Sequence, residues 1–174
     1  MKRPLILGLA VLLAAPAAVY AHGPSRQMVV KETAINAPAD KVWSLIEDFC
    51  AISRWNPEVP QCTADGNGTG AVRTITLKNG QALQEKLVKH QPENRTMQYV
   101  LVEPNPDAMP INTLGTTLSV READGGAVVE WKCAFYRSFP GPTPPPELSD
   151  EAATAAVTKL VDAGLAGLKA LAEQ

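Results

Sequence analysis

AVRTITLKNGQALQEKLVKH, residues 71–90, is the stretch on which the architecture turns. Apolar and polar residues alternate on both sides of Asn79-Gly80, a pair that tolerates positive φ. The segment therefore reads as two strands, Ala71 to Lys78 and Gln81 to His90, joined by a tight hairpin. A two-residue loop pairs Lys78 with Gln81. One face then carries Val72, Thr74, Thr76, Leu83, Glu85 and Leu87, and the other Arg73, Ile75, Leu77, Ala82, Gln84, Lys86 and Val88. Turning the second face inward would bury Arg73 opposite Lys86, at a cost of several kcal/mol, roughly, for two like charges. The first face is expected inside, and Glu85 goes in with it.

The period of two continues outward from this hairpin. Val59 to Thr63 is a short strand before it, separated from it by the glycine turn Asp65 to Gly70. Arg95 to Glu103, Ile111 to Arg121 and Ala127 to Arg137 are strands after it, divided by Pro/Asn/Asp and Asp-Gly-Gly turns. Val129, Trp131, Cys133 and Phe135 share one face of the last, and Met97, Tyr99 and Leu101 one face of the strand at 95–103. Upstream, Gln27 to Ile35 reads as a first strand. Pro38 opens a helix whose Val42, Trp43, Leu45, Ile46 and Phe49 recur at helical spacing to about Asp48. Cys50 to Trp55 is a second short helix, ended by Asn56-Pro57. Pro140 to Pro146 is a stiff proline-rich linker, read as a span from sheet to helix rather than as a partner-docking strip. Ser149 is a good N-cap, and Val157, Leu160, Val161, Gly164, Leu165, Leu168 and Leu171 form one stripe of a long final helix. The order is an α+β domain of about seven antiparallel strands wrapped on one helix. Because that stripe is rich in small residues, an apolar cavity is expected between helix and sheet.

The chain starts with a basic Met1-Lys2-Arg3, an apolar run from Leu5 to Ala18 and small residues before His22. This is the pattern of a cleaved signal peptide over residues 1–21, with a single domain over 22–174 and an exported, periplasmic destination. The apolar run is short for a membrane span, and neither a lipoprotein cysteine nor a twin arginine accompanies it. The formal net charge of -2 offers no basic footprint for nucleic acid. Of three cysteines, Cys50 and Cys62 are the expected disulfide and Cys133 a buried, inert thiol.

The order of elements resembles the helix-grip, START-like superfamily, which includes Bet v 1-like allergens, polyketide cyclases and lipid-transfer domains. The resemblance rests on APADKVWSLIEDFCAISRWNP (37–57), GTGAVRTITLKNG (68–80), ALQEKL (82–87) and VVEWKCAF (128–135), and covers Val29 to Ala172. It implies a cavity lined by Trp55, Glu85, Leu87, Tyr99, Leu114, Trp131, Phe135, Leu160 and Leu168. Leu114 follows Thr113 where ligand-sensing relatives often carry a tyrosine after an asparagine, a departure that weakens a carried-over polar network. The exported form with AHGP at its start resembles the MxaD-like accessory proteins of methylotrophic bacteria. That likeness implies a non-enzymatic role assisting methanol dehydrogenase and its cytochrome c. The alternatives are carriage of a small apolar ligand or lipid, and a cyclase or hydrolase.

The candidate chemistry is thin. Glu85, facing an apolar cavity, would have a raised pKa and could bind a polar ligand group or act as acid or base, but no second carboxylate or histidine is placed beside it. Its bland alternative is a solvated or lysine-paired carboxylate at the cavity mouth. His22 at a new amino terminus and His90 at a strand end lack metal-site spacing. Gly66, Gly68 and Gly70 precede a strand rather than a helix, so they make a turn and not a phosphate cradle. Trp43 reads as core, and Trp55 as a pocket or partner contact. No catalytic residue, metal or cofactor is assigned.

Overall fold

The computed structural model describes residues 23–174, so the expected signal peptide and His22 lie outside the described residues. Seven strands form one antiparallel sheet: β1 (Gln27–Ile35), β2 (Gln61–Ala64), β3 (Val72–Thr76), β4 (Ala82–Gln91), β5 (Thr96–Leu101), β6 (Ile111–Ala123) and β7 (Gly126–Arg137). From β2 to β7 the chain meanders, each strand pairing with the next. β1 then closes against β7, from Gln27 opposite Phe135 to Ile35 opposite Ala127, giving the order β1-β7-β6-β5-β4-β3-β2. Helices α1 (Ala39–Ile46) and α2 (Ile52–Trp55) fill the link from β1 to β2, and α3 (Asp150–Ala172) lies across the concave face.

Strict alternation explains the sheet. Leu83, Leu87, Met97, Leu118, Val129, Trp131 and Phe135 are all buried on the inner face, while their sequence neighbours face out. The fold is the expected helix-grip, but the hairpin register differs by one residue. The Leu77 amide donates to the Gln81 carbonyl at 2.8 Å, the Gly80 amide returns to the Leu77 carbonyl at 2.9 Å, and Gly80 has φ 81°. The loop is thus Lys78-Asn79-Gly80, a turn closed by a left-handed glycine, not the two-residue loop expected from Asn-Gly alone. That one residue exchanges the faces of β3. Arg73, Ile75 and Leu77 point inward with Leu83, Glu85 and Leu87, and Arg73 sits opposite Glu85 instead of Lys86. The like-charge conflict that placed Arg73 outside does not arise.

The space under α3 is also occupied differently from expectation. Trp55 and Trp131 meet edge to face, 5.5 Å between ring centroids, directly beneath the helix. A Cβ on Gly164 would lie 2.5 Å from Cζ3 of Trp131, and one on Gly167 would overlap the Trp55 carbonyl oxygen. The small residues of the helix stripe thus accept two indoles in this region, where an open cavity was expected. Asn56, buried at the end of α2, donates to the Leu160 carbonyl at 3.1 Å and ties the two helices together.

The ends of α3 are fixed by local chemistry. Ser149 Oγ accepts from the Ala152 amide at 3.1 Å, and Asp150 and Glu151 complement the dipole of the first turn. Arg137 holds the proline-rich linker, with Nε on the Phe139 carbonyl at 3.0 Å, Nη2 on that of Gly141 at 2.6 Å and Nη1 on Asp150 Oδ2 at 2.9 Å. A disulfide joins Cys50, just before α2, to Cys62 in β2, with Cα atoms 5.6 Å apart.

Candidate functional site

β3 and β4 bring Arg73 and Glu85 together inside the sheet, with each side chain 3% exposed. Arg73 Nε donates to Glu85 Oε2 at 2.7 Å, and Nη2 lies 2.7 Å from the same oxygen. Nη1 donates to the Phe49 carbonyl. The guanidinium packs on the rings of Phe49 and Tyr99, at 4.3 and 4.4 Å from their centroids, and the two rings meet each other at 5.7 Å, so they cover adjacent sides of it. Burial pushes the Arg73 guanidinium down, but the charge and hydrogen bond of Glu85, together with Tyr99, outweigh it and hold the group above the ordinary arginine value. Burial pushes the Tyr99 phenol far above its ordinary value, the nearby guanidinium notwithstanding. Glu85 is therefore not a lone carboxylate facing an apolar space. Its charge is balanced by Arg73, and that arginine locks the residue before Cys50 onto the sheet.

A separate pocket opens where four elements meet: the end of α2, the β3–β4 turn, the β5–β6 connection and the first half of α3. It has a volume of about 140 Å³. Leu77, Ala108, Met109, Ala156 and Leu160 give it an apolar floor, and Glu58, Lys78, Asn79 and Lys159 its polar rim. Glu58 takes Lys159 at 2.7 Å and Lys78 at 3.3 Å. The hydrogen bond from Lys159, with the Lys78 charge adding to it, holds the Glu58 carboxyl below its ordinary value against a smaller opposing effect of burial. Two ammonium groups against one carboxylate leave this rim with an excess of one positive charge. Asn79 Nδ2 donates to the carbonyls of Asp107 and Ala108, both at 3.1 Å, so the turn at the tip of β3–β4 is stapled to the β5–β6 connection. Asn105 Nδ2 adds a bond of 3.0 Å to the Ala82 carbonyl.

Of the side chains anticipated to line a cavity, Leu160 borders this pocket. Trp55, Leu87, Tyr99, Leu114, Trp131, Phe135 and Leu168 are buried in the apolar core, and Glu85 in the ion pair. The buried indole nitrogens of Trp55 and Trp131 have no hydrogen-bond partner among the described residues. Cys133 is buried with Sγ 3.7 Å from Thr116 Oγ1, and burial pushes its thiol up to about 12, which keeps it protonated and unreactive. His90 packs against Trp43 with centroids 5.9 Å apart. Sequence reasoning missed Arg73, Phe49, Glu58, Asn79, Lys78 and Lys159. Only Arg73 left a usable signal: a three-residue loop would have set it against Glu85. The rim residues come from three distant segments and left none.

The family model for polyketide cyclase / dehydrase and lipid transport proteins matches residues 26–173. The chain belongs to that family. Solved structures agree on the fold of this family member. The Zhui aromatase/cyclase from Streptomyces superposes with a TM-score of 0.72 at 18% identity, covering 86% of this chain and 94% of its own. The protein XoxI from Bacillus cereus gives 0.69 at 23%, covering 85% and 95%. Norcoclaurine synthase from Thalictrum flavum gives 0.63 at 15%, covering 98% of each. At these identities the likeness is one of architecture, the Bet v 1-like helix grip. No curated protein matches this family member in sequence.

Proposed function

We propose that the protein is a non-catalytic, periplasmic carrier that takes the apolar part of a small anionic amphiphile into the pocket between the β3–β4 turn and α3. The observation that carries this reading is the pairing of an apolar floor with a rim of excess positive charge at one opening. The floor suits a compact group: a cavity of about 150 Å³ accepts a benzene-sized body. Lys78 and Lys159 are half to two-thirds exposed, so one can turn to a ligand carboxylate or sulfonate while the other keeps the mostly buried Glu58 carboxylate paired. Lipid transport within the family is compatible with such a ligand. A cyclase or hydrolase reading loses its one candidate acid, because Glu85 is spent on Arg73. The test is calorimetric titration of the delipidated protein with straight-chain carboxylates, phenylacetate and the matching neutral alcohols. Saturable one-to-one binding that favours the acids supports the reading. Equal or absent binding of both series contradicts it.

A second reading is an MxaD-like accessory role toward methanol dehydrogenase and its cytochrome c. The observation in its favour is an outer sheet face on which Met28, Val30 and Val88 are exposed and available for protein contact. Its test is electron transfer between the purified dehydrogenase and cytochrome, which should rise with added protein. A rate indifferent to the addition removes the reading.

A further inference from the structure

Two adjacent cross-strand rows run over the convex face of the sheet, away from α3. One is Met28, Ala134, Gly115, Val100 and Lys86, each opposite the next on β1, β7, β6, β5 and β4. The other is Val30, Lys132, Thr117, Gln98 and Lys89 in the same strand order. Met28 is 53% exposed, Val30 45% and Val88 42%; Val88 sits at the register break of β4 between the two lysine positions. Single exposed apolar side chains are ordinary, but the first row is apolar without a break from Met28 through Ala134 and Gly115 to Val100, and a continuous apolar band marks a contact surface. The band has a notch at its centre. Gly115 and Ala134 face each other with almost no side chain, and a Cβ on Gly115 would meet nothing nearer than the Ala134 carbonyl at 4.0 Å. The resulting depression is about 220 Å³ and is bordered by Arg26, Val88 and Lys132.

The charges around it are unspent. Lys86, Lys89, Lys132 and Arg26 have no ion-pair partner among the described residues, whereas eight other basic side chains do. The acidic residues of this face, Glu32 and Glu130, oppose each other in the row beyond Lys132, and Arg121 holds Glu32 at 3.2 Å. A chain of net negative charge thus keeps four free cations around one apolar notch.

We propose that this convex face docks a partner protein through an acidic surface with one protruding apolar side chain. The carboxylates meet Lys86, Lys89, Lys132 and Arg26, and the side chain enters the notch over Gly115 and Ala134. The notch favours a protein over an anionic membrane, since a lipid surface has no fixed knob to fill it. The proposal is independent of what the pocket beside α3 binds.

The probes are two synthetic twelve-residue acidic peptides, one with a central phenylalanine and one with alanine there, and phosphatidylglycerol vesicles. Amide shifts of the isotope-labelled protein are followed during titration. The phenylalanine peptide should perturb Gly115, Ala134, Lys132 and Val88 and leave Met109 and Leu160 still. Its affinity should fall with added salt, by about tenfold in K86E/K132E, and to the level of the alanine peptide in Gly115→Leu. An unchanged melting temperature in each variant separates lost docking from lost folding; K86E/K132E alone carries the test if Gly115→Leu unfolds. Equal binding of both peptides, perturbation elsewhere, or binding to the vesicles with none to either peptide overturns the proposal.

Discussion

Arg73 and Glu85 face each other across the β3–β4 hairpin, joined at 2.7 Å in a site from which water is almost wholly excluded. Two opposed charges at such depth are marginal as a source of stability but costly to split. Arg73→Met should lower unfolding free energy by about 3–5 kcal/mol, because it strands a buried carboxylate. The double variant Arg73→Met/Glu85→Leu should recover most of that loss. Urea unfolding of the three proteins checks this. A single variant as stable as the native chain would mean that the pair does not form.

Gly164 makes the opposite prediction from helix propensity. On an exposed helix, glycine to alanine gains about 1 kcal/mol. Here the added methyl would press on Trp131, so Gly164→Ala should instead cost about 1–3 kcal/mol as an overpacked site. The near-ultraviolet circular dichroism of the indoles should change with it.

This glycine also shows what could be read in advance. Alternation in Gln81 to His90 and Ala127 to Arg137 was enough to set strands, faces and sheet, because a half-buried strand writes its environment at every second residue. The register was not so secured. Asn-Gly suits both a two-residue loop and the end of a three-residue one, and the choice inverts which face of β3 meets the core. The small stripe of α3 was visible, but small residues serve equally to border a void and to admit a large ring from elsewhere. Which it is depends on where Trp55 and Trp131 arrive from other elements. The pocket rim was least legible, since Glu58, Asn79 and Lys159 are charged or polar surface residues until the fold puts them together.

The disulfide between Cys50 and Cys62 closes a short loop that carries α2. Cys50→Ser/Cys62→Ser should cost about 2–3 kcal/mol by loop entropy, measured by thermal unfolding with and without a reductant. Native protein in reductant should match the variant, and the variant should be indifferent to it. A native protein whose stability does not respond to complete reduction would contradict this.

The rim carboxylate supplies a pH signature. Glu58 is held below its ordinary value of 4.5 by Lys159 and Lys78, so it binds protons less readily folded than unfolded. Its contribution to stability is then present above the unfolded value and lost as pH falls through the lower folded one. Carboxyl chemical shifts should place its midpoint below 4.5, and Lys159→Met should move it upward. A midpoint unmoved by that substitution would mean that Lys159 does not hold Glu58.

In the proposed carrier a ligand enters beside α3 and rests on the apolar floor of that pocket. Isotope-filtered nuclear Overhauser contacts between unlabelled octanoate and the methyl-labelled protein test it most directly. Contacts to Met109, Leu160, Leu77 and Ala156 are expected, and they should be lost in Leu160→Arg. Contacts to Leu114 and Leu87 instead, or none at saturating octanoate, would contradict it.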